Sequence, residues 1–177
     1  MADKEILEET FKFHGHICWA SAIGARAGLV ALRELAVDRT GTSSDLHCII
    51  EIGDDHGAQC FADGVQYSTG CTIGKGNIEK AGWGKLAITL IDKQKELAVR
   101  VSYKPGRHQM IAESSFMKKR AAGVPPTQIP KEEAWDMANI LWEAPESEVL
   151  SVGKVEAYPY ENFGEVMGLI SCDNVCF

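Results

Sequence analysis

No block of lysine or arginine longer than Lys118-Lys119-Arg120 interrupts this chain of 177 residues, and its 18 basic side chains are outnumbered by 25 acidic ones, for a net charge of −7. Without a basic stripe there is nothing to neutralise a phosphate backbone, which argues against nucleic acid as a partner. Nor is there an uninterrupted apolar run of membrane length. The best candidate, residues 17–37, contains Arg26, Arg33 and Glu34, and charges of that kind are costly in hydrocarbon. It reads as the core helix of a soluble protein with no membrane partner. The N-terminus lacks the long apolar segment of a signal peptide, since Asp3, Lys4, Glu5, Glu8 and Glu9 surround a single apolar pair, Ile6-Leu7; the expectation is a cytoplasmic protein. The six cysteines contain no CxxC spacing. In a reducing compartment they are expected as thiols or ligands rather than disulfides. Internal repeats and low-complexity tracts are also missing. What is plentiful is apolar character, 45% of residues, enough for one well-buried core and a smaller C-terminal appendage.

Periodicity divides the chain into elements. Asp3 is a candidate cap for a first helix in which Ile6, Leu7, Thr10 and Phe11 share a face, ending near His14-Gly15. Trp19, Ile23, Ala27, Val30 and Ala31 recur at three- and four-residue steps, which predicts a second helix over residues 18–36, with Gly24 and Gly28 forming a smooth strip suited to close packing. A buried strand is expected over residues 46–52, then a helix over 58–68 ended by Gly70. Residues 85–91 and 96–103, joined by Asp92-Lys93-Gln94-Lys95, read as a hairpin. Helices over 111–122 and 131–143 follow, separated by Val124-Pro125-Pro126, and a strand over 149–157.

Chemistry concentrates in Phe13-His14-Gly15-His16-Ile17-Cys18. Imidazole and thiolate suit zinc and its neighbours, whereas Ca²⁺ and Mg²⁺ ask for carboxylates and carbonyls. Alternate spacing in an extended segment would point all three side chains the same way, and Cys18 at the start of a helix would gain from the positive end of the macrodipole. Cys60 near another helix start has the same advantage, and Cys71 lies in a neighbouring turn-rich segment. Buried structural His and Cys are the alternative explanation of the same residues. Asp54-Asp55-His56 follows the first strand, either as a solvated acidic turn or as a source of a proton acceptor near a metal. The segment from Thr69 to Asn77 is rich in glycine and carries Lys75, but its spacing fails the Walker pattern. A nest of backbone N–H groups with Lys75 would still make a cradle for a small anion, walled by Trp83. Cys172 and Cys176 stand four apart, unlike a zinc ribbon.

Taken in order, Phe13-His-Gly-His-Ile-Cys with Gly24 and Arg26, Cys60 with Asp63, Thr69-Gly-Cys-Thr-Ile-Gly-Lys-Gly-Asn, and Gly84-Lys85 resemble the E-subunit family of formylmethanofuran dehydrogenase. The resemblance covers roughly residues 1–104, leaving 105–177 as a helical extension with a terminal strand and a cysteine pair. It implies an α+β fold, with an antiparallel or mixed sheet packed with helices, a homodimer, a zinc-like ion at the His-Cys motif, and life in anaerobic one-carbon metabolism. The chain departs from the family pattern at Trp19-Ala20, where Pro-Gly is usual, and in lacking the two CxxC pairs of a C-terminal ribbon. The expected metal ligands are His16, Cys18, Cys60 and Cys71 with His14 in reserve, and Lys75, Asp54 and His56 are the expected anion-binding and proton-exchanging groups. Whether the chain is an enzyme is left open by these residues. A non-catalytic accessory or metal-delivery partner of a larger redox complex is the alternative function, and thiol redox through Cys60 and Cys71 is a third.

Overall fold

The computed structural model describes residues 2–43 and 45–157; Cys172 and Cys176 lie outside them. The chain runs α1 (Ala2–His14), α2 (Trp19–Leu35), β1 (Leu46–Ile50), α3 (His56–Thr69), β2 (Ile78–Lys80), β3 (Ala87–Asp92), β4 (Leu97–Tyr103), α4 (His108–Ala112), α5 (Ser115–Ala121), α6 (Lys131–Trp142), α7 (Glu146–Val149), β5 (Leu150–Val152) and β6 (Glu156–Ala157). The strands form one mixed sheet in the order β2-β1-β3-β4-β5, with β6 beside β4. β1 and β2 are parallel, and the other pairs are antiparallel. The fold is α+β.

Alternation puts Leu46, Cys48 and Ile50 of β1 on the same face as Ile88, Leu90, Val99 and Val101. Against that face lie Ile23, Ala27 and Val30 of α2 with Phe61 and Val65 of α3, closing the main core. α1 and α6 add an outer layer on α2, where Leu7 and Phe11 meet Ala22 and Ala138 and the Phe11 ring stands edge-on to Trp135 at 5.2 Å. Residues after 104 thus share the core of those before it, through α6 on α2 and β5 on β4.

α2 and α3 approach so closely that side chains would not fit between them. A Cβ on Gly24 would sit 2.1 Å from the Phe61 carbonyl oxygen, and one on Gly64 would sit 2.0 Å from that of Ser21. A Cβ on Gly28 would meet the Ser68 side-chain hydroxyl further along, so the two helices run in the same direction. The smooth strip expected from Gly24 and Gly28 is therefore a packing surface. Because β1 runs out into α3, and Ile50 pairs with Ile88 and Ala87 with Ser102, the end of β1, the end of β4 and the N-termini of α2 and α3 share one edge of the molecule.

Two local expectations differ from the structure, and one strand has no counterpart among them. The helix expected over 111–122 is two, because Ser114 leaves the helical conformation (φ −60°, ψ 152°) and its hydroxyl accepts from the Met117 N–H at 3.3 Å; serine competes with the backbone in this way and starts a new helix. The strand expected over 149–157 begins with a helical turn after Pro145 and is interrupted where the Gly153 N–H bonds the Arg100 carbonyl at 2.8 Å, so that β5 and β6 line successive halves of β4. β2 is three residues long and largely exposed, too short to announce itself by alternation.

The glycine crossing yields the first prediction. Gly64→Ala should cost about 1–3 kcal/mol or more, since backbone must move to admit the methyl group, while Gly74→Ala, whose Cβ would meet nothing within 4 Å, should stay within about 0.5 kcal/mol. Urea unfolding of both variants checks this, and equal stability of Gly64→Ala and parent would contradict the packing described.

Candidate metal centre

The site is assembled from three helix ends. His14 closes α1, and Gly15, at φ 91° with its N–H bonded to the Phe11 carbonyl at 2.8 Å, turns the chain away from the helix axis. That left-handed conformation favours glycine. His16 and Cys18 follow in the linker, where Cys18 is extended (φ −144°, ψ 131°) and serves as the cap residue of α2; its carbonyl accepts from the Ala22 N–H and the Ser21 hydroxyl, both at 3.1 Å. Cys60 arrives from the first turns of α3, a helix started by Asp55, whose carboxylate accepts from the Ala58 N–H at 2.9 Å. The parallel, glycine-tight crossing of α2 and α3 brings the two starts together.

The result is a group of four donors, His14, His16, Cys18 and Cys60, whose ligand atoms all lie within 4.8 Å of one another. The imidazoles of His14 and His16 stand with centroids 4.3 Å apart. Convergence comes from the Gly15 turn rather than from simple alternation along one extended segment, because His14 is still helical.

Hydrogen bonding fixes which atom of His14 faces the group. Its Nδ1 is 2.7 Å from Asp63 Oδ2, and its Nε2 is buried with no hydrogen-bond partner. A carboxylate holding one ring nitrogen as a donor leaves the other as a lone pair, the arrangement found behind metal-bound histidines. An orphaned buried nitrogen costs free energy unless something fills its place. Asp63 itself is held by the Gln66 amide at 3.3 Å. Ligand spacing in the sequence does not single it out, although its position three residues after Cys60 places both on one helical face.

Thiol electrostatics point the same way. The Cys18 thiol is held well below its usual range, foremost by the neighbouring Cys60 thiol, then by the neighbouring His14 imidazole and by the backbone N–H groups of Ser21 and Ala20, against the cost of burial. Cys60 correspondingly keeps its proton, because Cys18 is the better-stabilised anion and because Cys60 is desolvated. His14 is raised above the usual imidazole value, first by Cys18 and, after an opposing effect of burial, by Asp63. The helix macrodipole anticipated for Cys18 contributes through those backbone N–H groups, but after the partner thiol.

Other expected residues lie elsewhere. Cys71 is not in the group: it follows the far end of α3, beyond Gly70, with its N–H on the Thr69 hydroxyl at 3.1 Å. The run from Cys60 to Thr69 alone spans about 13 Å at about 1.5 Å per residue. Its neighbour is Cys48, and burial pushes the Cys71 thiol up to about 11 and the Cys48 thiol well above its usual value. Lys75 is at the same far end, its ammonium donating to the Gly41 carbonyl at 2.9 Å. Asp54, with a side chain 97% exposed, pairs with Lys80. His56 does come near, with Nε2 3.9 Å from Cys60 Sγ. Trp83 is exposed on the loop that touches Gly53 through Gly84, on the edge that carries the site rather than beside Lys75.

Two imidazoles and two sulfurs match the chemistry of a tetrahedral, thiophilic ion. Bonds of about 2.0–2.3 Å at tetrahedral angles set donors about 3.3–3.8 Å apart, a small contraction of the observed group. Asp63→Asn should then weaken zinc affinity about 10–100-fold by losing the tautomer lock, read by competition with a chromophoric chelator; unchanged affinity would remove Asp63 from the site. Without metal, iodoacetamide at pH 6 should label Cys18 first among the cysteines of the described residues and leave Cys48 and Cys71 untouched, because among those residues only the Cys18 sulfur combines partial exposure with thiolate character at that pH. Peptide mapping reads the order, and first labelling at Cys71 would contradict it.

Comparison with known proteins gives the family and the fold. The family described as FmdE, molybdenum formylmethanofuran dehydrogenase operon, matches residues 13–151. A protein of Archaeoglobus fulgidus described as a probable S-adenosyl-L-methionine-binding protein is 36% identical over 93 residues, 51% of this chain but 24% of that protein, so the match spans about a quarter of its length. The crystal structure of an FmdE-like protein of tungsten formylmethanofuran dehydrogenase type from Syntrophus aciditrophicus shares the fold, with a TM-score of 0.54 at 22% identity over 87% of this chain and 73% of that one. With its match running from the His-Cys motif through β5, the chain belongs to the FmdE family.

Proposed function

We propose that the chain is a zinc-binding protein of anaerobic one-carbon metabolism, holding the ion with His14, His16, Cys18 and Cys60 and acting as a non-catalytic accessory or metal-delivery partner of a larger redox complex. The observation that carries this reading is the convergence of four soft donors within 4.8 Å around the orphaned Nε2 of His14. Four protein ligands complete a tetrahedral shell, whereas catalytic zinc sites keep a position open for water or substrate. The accessory role is favoured further by the placement of Lys75, whose ammonium is taken up at the far end of α3 and so is not available to hold an anion at the sulfurs, and of Asp54, whose carboxylate pairs with Lys80 rather than standing ready to exchange protons there. A homodimer in the cytoplasm is part of the proposal; among the described residues no helix is long and apolar enough to cross a membrane. A catalytic reading is favoured by one feature, the exposure of His16, the ligand most easily exchanged for a substrate.

Anaerobically purified, reduced protein should retain about one equivalent of zinc-like metal per chain after desalting, by the affinity usual for such sites. Cys60→Ser should abolish that retention, since a neutral hydroxyl replaces a soft thiolate, while Cys71→Ser should leave it intact. Metal content by plasma emission decides: full retention in Cys60→Ser, or loss in Cys71→Ser, would sink the assignment.

A further inference from the structure

We propose that Cys18 and Cys60 form a reversible disulfide in the metal-free protein, so that a two-electron peroxide oxidant and a metal ion compete for the same two sulfurs. The proposal stands on the placement of the sulfur pair and not on the metal reading. Their Sγ atoms belong to a group spanning no more than 4.8 Å. Bridging needs Cα atoms about 4.4–6.8 Å apart, and the helices that carry the two residues supply close backbones: the Cβ position of Gly64, four residues after Cys60, is 2.0 Å from the carbonyl oxygen of Ser21, three residues after Cys18. Cys18 sits in the linker ahead of α2, where its side chain is free of the helical ladder and has only to rotate toward α3.

Access assigns the roles within the pair. Cys18 is partly exposed and Cys60 is buried beside it, whereas the other cysteines among the described residues, Cys48 and Cys71, are both at 0% exposure. The oxidant therefore meets Cys18. Its sulfur attacks one peroxide oxygen, the O–O bond breaks and water leaves, giving a sulfenic acid on Cys18. The Cys60 sulfur then attacks the Cys18 sulfur, the S–O bond breaks, and the hydroxyl departs as a second water with the Cys60 proton. Two thiols lose two protons and two electrons, and one hydrogen peroxide becomes two waters. The disulfide has no anionic sulfur left to offer a metal, and a dithiol reductant restores both.

The test uses the full-length chain, stripped of metal, reduced and treated with equimolar hydrogen peroxide. Intact mass should fall by two hydrogens, and peptide mapping should recover the Cys18 fragment joined to the Cys60 fragment. Zinc uptake, followed by chelator competition, should be lost on oxidation and regained with dithiothreitol, and Cys18→Ser should yield no linked Cys60 peptide. A bridge from either residue to Cys71, Cys172 or Cys176, or Cys18 driven to sulfinic acid with no linked peptide, would overturn the proposal. Zinc titration of the reduced protein separates the two readings. Failure to take up zinc with the bridge still forming strikes the metal assignment alone, and normal uptake with no bridge strikes this one.

Discussion

The contact on which the site depends is the side-chain-free crossing of α2 and α3. Gly24 and Gly64 let the backbones approach to distances that any Cβ would forbid, and the shared direction of the helices brings both N-termini to one edge. Cys18 and Cys60, distant in sequence, become sulfur neighbours for that reason alone. The cost is the conformational entropy of glycine inside two helices, offset by burying Ile23, Phe61 and Val65 against the sheet.

Polarity is managed by small, local devices around that contact. Cys60 and His14 both lie beside Cys18 and favour its anionic form, and Asp63 fixes the far side of the imidazole. Each partner removes a degree of freedom from a donor, the kind of preorganisation by which the proposed ion site would gain affinity. At the opposite end of α3 the polar groups serve the backbone instead: Thr72, Asn77 and Lys75 satisfy loop N–H and carbonyl groups. One helix thus separates a chemically poised end from a structurally satisfied one.

Much of this is legible in the sequence. The helical periods of α2 and α3, the hairpin of β3 and β4, the glycine strip, and the His-Cys motif with Cys60 all follow from spacing and residue type. What spacing withholds is direction along a helix. Cys71 and Lys75 are near Cys60 in sequence, yet a helix carries its two ends apart by about 1.5 Å per residue, and no local signal says that the cysteine to meet Cys18 is the one at the start of α3. Asp63 is visible in the sequence as the companion of Cys60 in the family motif, but its role is not: a carboxylate bonded to a donor side chain leaves no ligand spacing of its own. His14, a reserve ligand on spacing alone, stands in the group because Gly15 bends the chain.

Zinc K-edge X-ray absorption of the metal-loaded chain is the most direct measurement of the proposed centre. Two sulfur scatterers at about 2.3 Å and two imidazole nitrogens at about 2.0–2.1 Å are the predicted shell. A shell with one sulfur or none, or one dominated by oxygen, would contradict it.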